Sequence, residues 1–173
     1  MNLSKKMNFS SVIMFLAILL AFPAASFALP KKGQPAPHFQ VVTTAGQKLS
    51  MANYKGSVLI LEFFSTYCGG CKESIPHLLN LNKQYGNKGL QILALDIGQG
   101  DTPEDVKEFI AKRKINYPVA MADESIIYDG YGIRMIPSIF IINKKGILVE
   151  KFDGFTDETR KIMDATVKKL IAE

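Results

Sequence analysis

The chain has 173 residues, 47% of them hydrophobic, a formal net charge of +5 and only two cysteines. That length suits one domain able to bury its own core, which excludes a small scaffold held together by disulfides. The basic excess is mild and interleaved with acids, so it describes a solvated surface rather than a nucleic-acid binder.

The first segment reads as an export signal. Lys5 and Lys6 precede an apolar run from Val12 to Ala25, broken at Pro23, and Ser26-Phe27-Ala28 supplies the small-x-small pattern of a cleavage site. The run is shorter than the roughly 18 to 20 residues of a comfortable membrane span, so cleavage is expected over a retained N-terminal anchor. No cysteine closely follows it, which argues against a lipidated N-terminus. Residues 1–28 are thus set apart as a signal peptide and residues 29–173 as a single domain with no membrane span. Lys5 and Lys6 are the signal's only charges, leaving 19 basic against 16 acidic residues, a net +3.

Lys31 to Pro37 is an extended entry, because residues before proline avoid the helical region. Phe39 to Thr43 and a segment near Lys48 form a short hairpin around Ala45-Gly46. The run Val58 to Phe64 is too uniformly apolar for a half-exposed strand and fits a central parallel strand covered on both faces. A helix follows from Gly69 to about Tyr85, with Ile75, Leu78, Leu79 and Leu81 at helical intervals, and then a second buried strand from Leu90 to Asp96. Thr102 and Pro103 open another helix as N-cap and first residue, with Val106, Phe109 and Ile110 inward. Pro118 to Met121 is a short strand and Ser125 to Tyr131 a short helix. Ser138–Asn143 and Ile147–Phe152 are antiparallel strands joined at Lys144-Lys145-Gly146. The final helix runs from about Asp157 to the end, with Ile162, Ala165, Val167, Leu170 and Ile171 expected inward. The alternation gives an α/β three-layer sandwich with a mixed central sheet flanked by helices.

Both cysteines lie in Cys68-Gly69-Gly70-Cys71, directly after the apolar strand. A disulfide closing so short a loop removes little chain entropy, so it is a poor staple. A strand running into Cys-x-x-Cys at a helix start places Cys68 at the exposed N-terminus, where unpaired N–H groups and the dipole favour its thiolate. Cys68 is then the attacking sulfur and Cys71, one turn inward, the resolving one. The alternatives are a structural disulfide or half of a zinc site. Zinc needs two further ligands, and the only histidines are His38 and His77. No metal and no cofactor is expected.

Glu62 interrupts an otherwise apolar strand six positions before Cys68, where an unpaired buried carboxylate is expensive. An acid whose pKa is raised below a dithiol can take the proton from Cys71 as that thiol attacks a mixed disulfide. Facing a polar edge or pairing with a lysine is the alternative. Pro137 opens a later strand, where a trans proline is ordinary.

Taken together, strand, aromatic residue, Cys-x-x-Cys, helix with Pro76 five residues after Cys71, and a strand-opening proline resemble the thioredoxin superfamily. The resemblance spans nearly all of residues 33–170. It implies that Pro137 is cis and faces the cysteines, that the Ile136 backbone holds a substrate chain in extended pairing, and that Glu62 is the superfamily's buried acid. Tyr67 stands where a tryptophan is usual and completes the expected substrate-binding set of Ile136, Pro137 and Tyr67. Gly33-x-x-Ala36-Pro37-x-Phe39 with its N-terminal hairpin, and a central helix-strand insertion between Asp96 and Ser125, are similar to the extracytoplasmic ResA/TlpA-type thiol-disulfide oxidoreductases. Ser74 departs from that group, in which many cytochrome-maturation members carry an active-site glutamate. Glu73 next to it points about 100° around the helix. Glu62-Phe63-Phe64-Ser65 also resembles the DsbA-type oxidases, without their helical insertion.

The resemblance implies a periplasmic or otherwise extracytoplasmic thiol-disulfide oxidoreductase acting on exported proteins, with apocytochrome c cysteines as candidate substrates and a membrane thiol donor to recycle it. A monomer is expected. Gly69-Gly70 brings neither a stiffening proline nor a positive histidine, which leans the couple towards a reductase. Three other readings share the fold. A disulfide oxidase differs only in direction. A thiol peroxidase needs a threonine three residues before its nucleophile, where this chain has Ser65, and an arginine in reach, of which there are only Arg113, Arg134 and Arg160. A copper or haem-related binding module pairs a wider cysteine spacing with a distant histidine, and none follows His77.

Overall fold

The structure is a computed structural model and describes residues 29–173. The signal-peptide assignment, residues 1–28, lies outside the described residues. Among those described, no helix is long and apolar enough to cross a membrane.

The central sheet has five strands in the order β5-β4-β3-β6-β7: β3 (Val58–Phe64), β4 (Leu90–Asp96), β5 (Val119–Met121), β6 (Ser138–Ile142) and β7 (Leu148–Asp153). The β3, β4 and β5 strands are parallel, while β6 pairs antiparallel with both β3 and β7. A separate two-stranded hairpin joins β1 (Gln40–Val42) to β2 (Lys48–Ser50). Every residue of β3 is buried, as a run apolar at all positions but Glu62 requires of a central strand.

Three helices, α1 (Gly69–Tyr85), α2 (Pro103–Arg113) and α3 (Asp157–Ala172), send their apolar residues into one core. Cys71, Ile75, Leu78, Val106, Phe109, Met163 and Val167 meet Val58, Ile60 and Phe64 there. The crossovers β3-α1-β4 and β4-α2-β5 step the same way along the sheet, and right-handed connections then put both helices on the same face. The opposite face is covered by the hairpin, a turn of 3-10 helix at Met51–Tyr54 and a turn at Ser125–Gly130. Phe63, Tyr131 and Phe140 pack there with ring centroids 5.0–5.8 Å apart. The Tyr131 hydroxyl donates to the Pro37 carbonyl at 2.8 Å, tying the extended entry to this layer.

Strand β6 ends at Ile142 and β7 runs Leu148–Asp153, one residue off the expected bounds, because the Asn143 side chain accepts from Lys145 and Ile147 N–H groups and closes the turn. Ser125–Gly130 is a π turn rather than an α-helix, with Tyr131 N–H reaching back five residues to the Ile126 carbonyl. That wider turn buries Ile126, Ile127 and Tyr131 together. In α3, Ile162 and Ala165 are exposed, contrary to expectation. The inward stripe is Met163, Val167 and Leu170, with an i, i+4, i+7 spacing that leaves residue 162 about 100° off the seam.

Candidate active site

The end of β3 delivers the chain through Ser65-Thr66-Tyr67 to Cys68, the N-cap of α1. Its sulfur accepts from the Cys71 N–H at 3.1 Å, and no acid stands in the helix's first turn to oppose the positive end of the dipole. Cys68 is partly exposed, Cys71 is fully buried, and the two form a disulfide. Gly69 has nothing packed above it, so the approach to Cys68 is open. A Cβ on Gly70 would sit 3.2 Å from the Pro137 ring, so glycine lets helix and loop approach closely. The Ile136–Pro137 bond is cis. Neither the Ile136 N–H nor its carbonyl makes a hydrogen bond within the described residues, whereas the Pro137 carbonyl is held by the Gly154 N–H at 2.7 Å.

Glu62 is wholly buried on the helix-bearing face of β3, next to Ala94 on one side and Ile139 on the other. Ser74, also fully buried, donates from its hydroxyl to Glu62 Oε1 at 2.5 Å and lies 3.0 Å from the Cys71 carbonyl oxygen. Glu62 therefore sits beneath the turn that carries Cys71, and the lysine partner considered as an alternative is absent among the described residues. Burial pushes its carboxyl up to about 7, against the opposing pull of the Ser74 hydroxyl. Tyr117 lies in the same core, and burial first, then the negative charge of Glu62, pushes its hydroxyl up.

A second acidic pair flanks the loop before Cys68. Asp101 accepts from the Thr66 N–H at 3.0 Å and from the Thr66 hydroxyl. Asp96, fully buried at the end of β4, accepts from the Gly98 N–H at 2.8 Å. Burial raises Asp96 to about 7, outweighing the Gly98 N–H, and the nearby Asp101 adds to the rise. Asp101 is held low: burial opposes its charge, but the Thr66 donors outweigh that. Asp101 thus clamps the loop that presents Cys68. Asp101→Ala is expected to cost about 1–3 kcal/mol in urea unfolding, since Thr66 loses a charged acceptor. Sequence reading misses this clamp, because 35 residues separate Asp101 from Thr66.

Tyr67, next to Cys68, is 67% exposed, and Met135 and Tyr128, near the cis peptide and in the turn after β5, are 54% and 52% exposed. Beside them a groove of about 530 Å³ is lined by Ile97, Tyr128, Ile133, Arg134, Met135 and Ile136. Leu29 packs against Gly132 at the groove's edge, where a Cβ would stand, and Gly132 has φ +61°. Among the described residues no group of three or more metal-ligating side chains comes together.

A partly exposed sulfur on a helix start, with its partner sealed behind it, marks a thioredoxin-like thiol-disulfide oxidoreductase. A family model described as AhpC/TSA matches residues 32–151. The chain belongs to the AhpC/TSA family. It is 32% identical over 138 residues, 80% of this chain and 78% of the relative, to the thiol-disulfide oxidoreductase ResA of Bacillus anthracis. Among solved structures it resembles a thiol:disulfide interchange protein of the thioredoxin family from Chlorobium tepidum, with 29% identity, TM-score 0.71, and coverage of 82% of this chain and 98% of that one. It also resembles the pneumococcal exposed lipoprotein thioredoxin Etrx1 of Streptococcus pneumoniae, at 25% identity and TM-score 0.65, over 77% of this chain and 99% of that one.

Proposed function

We propose that the chain is exported, loses residues 1–28, and reduces disulfides in exported polypeptides, with apocytochrome c cysteines as the substrates and a membrane thiol donor restoring the dithiol. The observation that carries the reading is the asymmetry of the pair: Cys68 reachable, Cys71 buried behind it over Glu62. Cys68 attacks a substrate disulfide and forms a mixed disulfide. Cys71 then gives its proton to Glu62 and displaces the substrate thiol. The free Ile136 N–H and carbonyl, the Pro137 ring and the exposed Tyr67 ring support their role in holding an extended substrate chain. The apolar rim of Met135 and Tyr128 suits a chain with apolar residues beside its cysteine. The cytochrome assignment rests on the likeness to the ResA/TlpA group.

Two features support a reductase. No positive side chain occupies the Cys68–Cys71 turn, and Glu62 near neutrality disfavours a permanently charged thiolate at Cys71. Equilibration of the couple with glutathione is expected to leave it mostly oxidised under conditions that reduce strong oxidants. A couple that equilibrates at the oxidising end would reverse that direction and make the protein a disulfide donor.

A further inference from the structure

Ser74 carries one hydroxyl hydrogen but faces two acceptors, Glu62 Oε1 at 2.5 Å and the Cys71 carbonyl oxygen at 3.0 Å. One hydrogen serves both only as a bifurcated bond, weaker to each. Both contacts become full hydrogen bonds at once when Glu62 carries a proton and donates it to Ser74 Oγ, freeing the Ser74 hydrogen for the Cys71 carbonyl. When Glu62 is ionised, the same hydrogen must turn to the carboxylate and the carbonyl loses the Ser74 donor. Glu62 Oε2 has no hydrogen-bond partner among the described residues, so Ser74 is the carboxyl's one protein contact of this kind.

We propose that Ser74 is the positioning residue for the buried acid, its hydroxyl turning between Glu62 and the Cys71 backbone as Glu62 loses and gains a proton. The inference rests on the reading of Glu62 as proton acceptor. In the resolving step the Glu62 carboxylate, held by the Ser74 hydroxyl, takes the proton of the Cys71 thiol. The Cys71 thiolate attacks Cys68, the bond from Cys68 to the substrate breaks, and the Cys68–Cys71 bond forms. The two electrons leave with the substrate thiolate, which takes a proton from solvent, and the protonated Glu62 now donates to Ser74. The heavy-atom spacing beneath the Cys68–Cys71 disulfide, 2.5 Å to Glu62 Oε1 and 3.0 Å to the Cys71 carbonyl oxygen, accommodates that end state. The other ionisable groups that the elements on this face bring to the core are the Cys71 thiol itself, the Tyr117 hydroxyl from the segment before β5, Asp96 two residues further along β4, His77 of α1 paired with Asp164 of α3 at 3.0 Å, and Arg113 of α2 over the Phe109 ring. The helix residues that pack into the core on this face, among them Ile75 and Leu78 of α1 and Met163 and Val167 of α3, are apolar.

The test is a direct titration of the Glu62 carboxyl by 13C NMR in the reduced protein, wild type against Ser74→Ala, alongside the pH profile of the resolving step. Removing the hydroxyl takes a stronger bond from the charged form than from the neutral one, so the midpoint is expected to rise by about one unit. The rate profile is expected to shift to higher pH by the same interval, a fall of about tenfold at any pH below the midpoint. Ser74→Thr, which keeps a hydroxyl, is expected to restore both. A Glu62 midpoint unchanged in Ser74→Ala would overturn the proposal, and that measurement decides alone if the threonine variant does not fold. If the midpoint moves but the resolving rate ignores it in both proteins, Ser74 positions the carboxyl and the role of Glu62 in resolution fails instead.

Discussion

Cys68→Ser is expected to abolish disulfide exchange outright, while Cys71→Ser leaves attack intact and traps the substrate as a mixed disulfide. The difference follows from burial. Cys68 is partly exposed beneath an open approach at Gly69, and its sulfur has the Cys71 N–H and the helix dipole to stabilise a thiolate. Cys71 has no exposed surface, so no outside disulfide can reach it. The serine variant at 71 therefore has an attacking sulfur and no resolving one. Non-reducing gels of cells making that variant would show higher-mass species that collapse on adding thiol. Their absence, or equal trapping by Cys68→Ser, would remove the division of labour assigned to the two sulfurs.

Glu62→Gln is expected to act on both rate and stability, in opposite senses. Amide cannot accept the Cys71 proton, and loss of a positioned general base costs on the order of a hundredfold or more in the resolving step. The stability effect follows from the direction of the shift. A carboxyl raised from 4.5 to about 7 holds its proton more tightly in the folded than in the unfolded chain. Between those two values folding takes up a proton, so stability falls as pH rises through the window and stays low above it. For Glu62 this amounts to about 3 kcal/mol. The glutamine variant is expected to escape that loss and to be the more stable protein at pH 8, with little difference at pH 4. Asp96 is raised to about 7 as well, so part of the fall remains in the variant. Urea unfolding of the oxidised proteins at both pH values gives the comparison. An equally steep decline in wild type and variant would mean that Glu62 ionises freely in the folded state.

The elements that depend on local pattern are legible in the chain itself. Seven positions, apolar but for Glu62, require a strand covered on both faces, and β3 spans the expected Val58–Phe64. Thr102 before Pro103 marks the start of α2, and the Thr102 hydroxyl does accept from the Asp105 N–H. The inward face of α3 differs from expectation because Ile162 and Met163 are adjacent and both apolar. Which one faces the core depends on how the helix lies against the sheet. The π turn at Ser125–Gly130 is likewise invisible in the sequence, since its winding follows from burying Ile126, Ile127 and Tyr131 against β3 and β6.

The site divides along the same line. Spacing alone brings out Cys68, Cys71 and the misplaced charge of Glu62, because two sulfurs three residues apart and an acid in an apolar run are local anomalies. Ser74 stands out in the sequence only as a departure from a family pattern. Its hydroxyl gains meaning from β3 and α1 packing face to face, which sets it between Glu62 and the Cys71 carbonyl. Asp101 reaches the Cys68 loop only because parallel pairing of β3 with β4 places the two strand ends side by side. Chemistry carried by neighbours along the chain can be read from the chain. Hydrogen-bond partners 12 and 35 residues apart cannot, because only the packed sheet and helices bring them within reach.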